Sequence, residues 1–242
     1  MTAPPILAVE NLSKTFNKVP VLDDISLEIT EADGIVALIG PNAAGKSTLF
    51  NVLTGMLRPD PRPRATMRVF GQSVIDLQTW QIARLGVARL FQDARVFLGL
   101  TLLQNVQIAG SGQQAGNWVS LLRAPAGEGA SNEALEFVGL AGRKNERADV
   151  LSLGDRRKLA IACMLRTGAR LLLLDEPTAN LDASANAQMK ELILALARQS
   201  RRVVLIEHNF EFVREVANTV FVFRQGKCLR GSVPDSSPQG SN

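Results

Sequence analysis

Residues 35–49 read IVALIGPNAAGKSTL, and the rest of the chain is legible outward from that stretch. The apolar, β-branched run 35–39 predicts a strand that stops at Gly40, and a short Gly/Ala loop leads into Gly45, Lys46, Ser47 and Thr48. The spacing Gly40-x4-Gly45-Lys46-Ser47 is that of a phosphate-binding loop, set between a predicted strand and a predicted helix as the pattern requires. Gly40 and Gly45 let the backbone turn tightly, so that main-chain N–H groups converge on phosphate oxygens. A helix beginning near Lys46 aims its N-terminal donors and dipole at the same place. Lys46 adds a point charge, and the Ser47 hydroxyl suits a Mg²⁺ ion that keeps most of its waters. The plainer reading is a Gly-rich strand-to-helix turn. Nucleotide binding is the working expectation, through Gly40, Pro41, Asn42, Ala43, Ala44, Gly45, Lys46, Ser47 and Thr48. Ala43 stands where a third glycine is common, and its methyl group is expected to be tolerated only if φ stays negative there.

Size and composition bound the answer. A chain of 242 residues suffices for one large α/β domain, or a core with one subdomain. Apolar residues make up 46% and charged residues 21%, a globular balance. No apolar run approaches the roughly 18 residues needed to cross a bilayer. The opening MTAPPILAVENL lacks the basic segment and long apolar core of a signal peptide. Cys163 and Cys228 lie far apart without metal-ligand partners, which predicts reduced thiols in a cytosolic setting. The net charge of +4 is mild and spread along the chain, so it does not establish nucleic-acid binding. No internal repeat is evident.

Strands are predicted at 7–16 and 21–29, with residues 17–20 as the turn between them, giving an antiparallel layer beside the main sheet. Phe16 ends the first strand, where an aromatic ring either stacks on a purine or serves as an ordinary core or edge residue. The helix after the phosphate loop is expected to run on to Leu57, ending near Gly55. Residues 58–64 (RPDPRPR) form a Pro-rich connector that cannot be helix. A strand at 65–71 and a short helix at 76–85, capped by Asp76, lead to a buried strand at 87–91 and then Gln92. Residues 93–108 are helical in part. Residues 109–131 turn to Gly, Ala, Ser and Gln, a mobile loop interrupted by the apolar patch 118–122, which is either a tacked-down helical turn or a partner contact. Helices follow at 132–140 and 151–166, the second opened by Ser152 and Asp155 at capping-box spacing. The run 171–174 is apolar throughout and predicts a parallel strand buried on both faces, with Asp175 and Glu176 at its end. Asp182 caps a helix to residue 198. A buried strand at 203–206 precedes Glu207 and His208, Asn209 caps helix 210–217, and a hairpin turns at Gln225-Gly226. Residues 232–242 read as a disordered tail.

Lys46, Ser47, Gln92, Asp175, Glu176 and His208 thus stand at the ends of apolar strands. If those strands are parallel neighbours, the six converge on one phosphate site. Each suits a role in phosphoryl transfer to water: Asp175 holding Mg²⁺, Glu176 as general base, Gln92 sensing the metal or γ-phosphate, His208 touching the γ-phosphate. Taken singly, acidic strand ends are often merely solvated and a lone histidine is often structural.

Over nearly its full length the chain resembles the ATP-binding cassette (ABC) ATPases. The matches are GPNAAGKST (40–48), Gln92 in LFQDARVF, LSLGD (151–155), LLLLDEPTANLD (171–182) and IEHN (206–209), in that family's order and spacing. The resemblance implies an α/β fold of the P-loop NTPase, ABC ATPase type: a mostly parallel core sheet, an antiparallel β layer and a helical subdomain. It implies one ABC ATPase domain over 1–231, with its core at 1–86 and 167–231 and the helical subdomain at about 87–166. Phe16 then lies at the adenine-stacking position, and Ser152, Leu153, Gly154 and Asp155 form the signature that closes on ATP held by a second cassette. Asp182 belongs to the loop between the two half-reactions, and Ser47, Gln92 and Asp175 to the Mg²⁺ site. Residues 82–106, and Asp155 in the usual Gln position, look like the cassettes of branched-chain amino-acid and urea importers. The expected cofactors are ATP and Mg²⁺. The expected partners are two membrane permease subunits, a second cassette (a heterodimer in the cell) and, indirectly, a periplasmic solute-binding protein, at the cytoplasmic face of the inner membrane, with no nucleic acid. Permease docking is expected in the groove beside Gln92, on residues 89–105. Leu153 and Asp155 leave a regulatory cassette with little hydrolysis as one alternative, and a soluble ABC ATPase acting on nucleic acid or ribosomes as another.

Overall fold

Alternating and continuous apolar runs carry the chain into two sheets. The computed structural model describes residues 5–62, 64–111 and 128–232. The apolar patch 118–122 and the tail from residue 233 lie outside them. Strand β1 (Leu7–Phe16) pairs antiparallel with β2 (Val19–Ile29), bringing Phe16 opposite Val19. The turn is therefore shorter than the expected 17–20. Asn17 and Lys18 both take positive φ, 48° and 68°, which is the two-residue hairpin geometry that matches strand twist. With β4 (Thr66–Val69) and β5 (Gln72–Ser73) they form a four-stranded sheet in the order β2-β1-β4-β5.

The second sheet has six strands. Its core is β3 (Val36–Ile39), β6 (Val87–Leu90), β7 (Leu171–Asp175), β8 (Arg202–Ile206) and β9 (Thr219–Arg224), with β10 (Lys227–Gly231) as edge. The order is β10-β9-β3-β8-β7-β6. All pairings are parallel except β10 on β9, the hairpin at Gln225-Gly226. Alternate residues enter opposite apolar layers: Val36, Leu38, Leu171, Leu173 and Val204 in one, Ala37, Ile39, Leu172, Leu174 and Leu205 in the other. That is why these strands read as unbroken apolar runs. The first layer packs against α1 (Lys46–Leu53) and the four-stranded sheet, through Leu49, Phe50 and Leu12. The second packs against α3 (Leu102–Ser111), α4 (Glu128–Phe137), α5 (Leu153–Arg166) and α6 (Ala183–Arg198). Between them in sequence lies α2 (Thr79–Arg84), and α7 (Phe210–Val216) precedes β9.

Several boundaries differ from expectation for local reasons. Helix α1 stops at Leu53, because the Thr54 hydroxyl takes the Phe50 carbonyl at 2.7 Å and Gly55 turns left-handed at φ 68°. Helix α2 is capped at Gln78, not Asp76, since the Gln81 side chain accepts the Gln78 N–H at 2.8 Å. Residues 128–131, whose Gly and Ala content reads as loop, belong to helix α4, ahead of the expected residue 132. Ser152, Asp182 and Asn209 cap α5, α6 and α7 as their positions predict.

Candidate active site

The C-terminal ends of β3, β8, β7 and β6 are neighbours along one edge of the sheet, and each delivers polar residues there. After β3 comes the phosphate loop. Gly40 has φ 145°, and a Cβ on it would stand 2.2 Å from the Phe223 carbonyl oxygen. Gly45 has φ 101°, and a Cβ there would meet the Val21 carbonyl oxygen at 2.6 Å. The loop is thus pressed from both sheets, and only glycine fits at either hinge. Ala43, however, has φ 60°, contrary to the expectation of a negative value. The nest of converging amides needs a left-handed residue at that point, and the chain accepts the strain of a methyl group to make it.

Lys46 opens α1 and is almost fully buried. Its ammonium donates to the Gly40 and Pro41 carbonyls, both at 2.8 Å. Burial pulls its pKa below the ordinary lysine value, opposed by the charges of Glu176 and Asp175. A cleft of about 300 Å³ opens over the loop, lined by Asn42 through Thr48, Phe16, Val21, Glu176 and His208. Phe16 is 43% exposed on its wall, so its ring belongs to the cleft and not to the core. Lys14 sits over that ring at 5.6 Å.

Asp175 and Glu176 end β7 and face different partners. The Ser47 hydroxyl donates to Asp175 Oδ1 at 3.4 Å, and Arg89 Nη2 to Oδ2 at 2.5 Å. A hydroxyl beside a carboxylate oxygen is a hard-donor pair that fits Mg²⁺ retaining much of its water shell. Among the described residues no cluster of three or more His, Cys, Asp or Glu is placed to enclose a metal. Glu176 holds φ 48°, although it precedes Pro177 and such residues favour extended backbone. Gln92 Nε2 donates to Glu176 Oε2 at 2.8 Å, and His208 Nε2 lies 3.1 Å from Oε1. A carboxylate held in this way over a phosphate loop can take a proton from water once one oxygen is released. Strain at such a residue is common where function fixes the backbone. The loop behind it is anchored by Glu207, buried, which accepts the Thr178 N–H and hydroxyl at 2.9 and 2.6 Å.

All six converging residues are therefore brought together. Ser152, Leu153, Gly154 and Asp155 are not; none lines the cleft. They open α5, where the Asp155 N–H donates to Ser152 Oγ at 3.1 Å and Leu153 is 37% exposed. The Asp155 carboxylate pairs with Arg143 at 2.7 Å and Lys158 at 3.3 Å. Asp182 accepts the Ala185 N–H at 2.8 Å, capping α6. Cys163 and Cys228 carry thiols pushed up to about 12 by burial, so neither is a nucleophile.

Sequence reading missed two arginines. Arg89 contacts the site from within β6, and the only signal was a charge inside an apolar strand, VARL. Arg157, on α5 and buried, donates to the Pro177, Ala179 and Gln92 carbonyls at 3.2, 2.6 and 3.3 Å. In sequence it is one of three clustered basic residues, Arg156, Arg157 and Lys158, and nothing there singles it out.

Comparison with known proteins bears on the family and the fold. The family model described as ABC transporter matches residues 22–179. The high-affinity branched-chain amino acid transport ATP-binding protein LivG of Salmonella typhimurium is 36% identical over 240 residues, spanning 96% of this chain and 92% of its own. The corresponding protein BraF of Pseudomonas aeruginosa is 33% identical over the same span. An ATP-binding cassette of an ABC transporter, solved in its ADP conformation, superposes with a TM-score of 0.80 at 25% identity, covering 94% of this chain and 92% of that one. A nucleotide-free ATP-binding cassette from an ABC transporter shares the fold, with a TM-score of 0.81 at 23% identity and coverage of 96% and 93%.

Proposed function

Since the chain belongs to the ABC transporter family, we propose that it is the ATP-hydrolysing, nucleotide-binding subunit of an importer for branched-chain amino acids, urea or a similar small polar solute. The observation that carries this reading is Glu176, held between Gln92 and His208 at the mouth of the phosphate loop. The names of LivG and BraF support the importer assignment.

In this reading the adenine ring stacks on Phe16, and the amides of Asn42 through Thr48 with Lys46 hold the phosphates. To meet phosphate, Lys46 gives up the two loop carbonyls it now occupies. Ser47 and Asp175 hold Mg²⁺, with Gln92 nearby; the ion, when bound, offsets charge on the phosphate oxygens. Glu176 takes the proton of the attacking water on the carboxylate oxygen that Gln92 releases. His208 keeps the other oxygen oriented and reaches towards the γ-phosphate. Ser152 and Gly154 close on the nucleotide of a second cassette, which meets α5 at the exposed Ser152 and Leu153.

No helix among the described residues is long and apolar enough to cross a membrane. The path for solute therefore belongs to two separate permease subunits, which hold this chain at the cytoplasmic face of the inner membrane. They dock on residues 89–105, where Phe97 and Leu98 are 59% and 45% exposed beside a cleft lined by Phe91, Arg95 and Met164. The second cassette is a related chain, and a periplasmic solute-binding protein delivers cargo from the far side.

Glu176→Gln tests the reading. The variant should bind ATP as the parent does, lose turnover, and accumulate as closed dimer on size exclusion with ATP. Hydrolysis at the parental rate would remove Glu176 from the mechanism.

A further inference from the structure

Arg89 is a nearly buried cation to which the nucleotide and Mg²⁺ roles above assign nothing. It stands third in β6, and its side chain is 6% exposed. Its guanidinium is fixed on every side. Nη2 donates to Asp175 Oδ2 at 2.5 Å, and Nη1 to Asn51 Oδ1 at 2.6 Å. The Phe50 and Phe91 rings flank it, with centroids 5.5 and 4.7 Å away. Its Nε is buried without a hydrogen-bond partner. A planar fork tied at both tips and flanked by two rings is held in one place, whereas an ammonium is a point charge without that two-tipped geometry.

The consequence falls on Asp175. One carboxylate oxygen belongs to Arg89, which leaves the other towards the Ser47 hydroxyl. Without Arg89, a cation left near Asp175 is Lys46, which feels the Asp175 charge and must serve phosphate. A carboxylate this buried seeks a counter-charge, so it would turn away from Ser47 and towards Lys46.

We propose that Arg89 is a positioning residue: it clamps Asp175 from α1 and β6, so that Oδ1 stays aimed at Ser47 and Lys46 stays free for nucleotide. The inference rests on the Mg²⁺ and ATP reading above, and it adds a residue which that reading does not include.

The test is titration of the full chain with a fluorescent ATP analogue, once with Mg²⁺ and once with EDTA. The readout is the ratio of the two affinities, which a purely structural role would not move. Arg89→Met should lose at least tenfold of the Mg²⁺-dependent gain, with the affinity in EDTA held within about twofold. Arg89→Lys should recover part of the gain, and Asn51→Ala, which frees one tip of the fork, should lose a smaller part. If Arg89→Met does not fold, the Arg89→Lys and Asn51→Ala ratios decide. Equal losses with and without Mg²⁺, an unchanged gain, or a larger one would each overturn the proposal. An unmutated chain that shows no Mg²⁺-dependent gain would instead overturn the underlying nucleotide reading.

Discussion

Two non-glycine residues of the site, Ala43 and Glu176, are held at positive φ, 60° and 48°. They bear different burdens. At Ala43 the left-handed backbone serves the amide nest, and the methyl group adds only strain. Ala43→Gly should therefore raise stability by about 0.5–1 kcal/mol, the left-handed penalty less the added freedom of the unfolded chain, seen as a higher denaturant midpoint at constant slope. A lower midpoint would show that the strain is absent. At Glu176 the same backbone aims a carboxylate that Gln92 and His208 share, so no substitution there separates strain from chemistry. Most of these residues were legible in sequence because a strand's end is visible as an apolar run meeting a polar residue: Asp175 after LLLL, His208 after VVLIE. The sign of φ at Ala43 was not legible. A methyl group argues locally against a left-handed turn, and only the convergence of amides on one point overrides it. Arg89 was hidden for the opposite reason, since its partner Asp175 is 86 residues away and nothing near it in sequence announces the pair.

Elements are positioned by their caps more than by their interiors. Helix α7 has only seven residues, and its cap Asn209, next to His208, accepts the Phe212 N–H at 3.1 Å through its side chain. So short a helix is not self-supporting, and its first turn decides where His208 is aimed. Asn209→Ala should lower stability by about 1 kcal/mol in chemical denaturation, while Asn209→Asp, which keeps the acceptor, should stay near the parent. Equal midpoints for all three would show that the cap carries no weight. Cap residues are written plainly in sequence, and Ser152, Asp182 and Asn209 were each legible as such. The start of α2 and residues 128–131 of α4 were not. Gln78 caps through a neighbour's side chain, and the first described residues of α4 are Gly- and Ala-rich sequence whose apolar face is completed only by packing on α3 and α5.

Across the molecule a buried carboxylate helps to clip the two sheets together. Asp33, 3% exposed, follows β2 of the four-stranded sheet and reaches β9 and β10 of the other. It accepts the Thr30 N–H and hydroxyl at 2.7 and 2.9 Å, the Thr219 hydroxyl at 3.2 Å and Arg230 at 2.6 Å. Burial pushes its pKa up, but these donors outweigh burial and hold it below the ordinary 3.8. A carboxylate depressed in the folded state stabilises fully above its unfolded value, and that contribution fades as pH falls through the lower native one. Asp33→Asn should thus cost on the order of 2 kcal/mol at neutral pH. The difference should shrink towards zero on acidification, followed by urea midpoints across the acid range. A constant offset at every pH would assign the loss to packing instead. In sequence only the capping-box spacing of Thr30 and Asp33 marks this residue, because its distant partners are supplied by the other sheet.

The oxygens of Phe223 and Val21 sit against Gly40 and Gly45 from opposite flanks, like stops on either side of a latch. Surface loops elsewhere are free to lengthen, but a residue gained or lost beside position 21 or 223 would slide one stop along the strand. An engineer grafting a tag or a sensor onto this chain therefore has two places to leave alone, and neither carries a side chain that would warn of it.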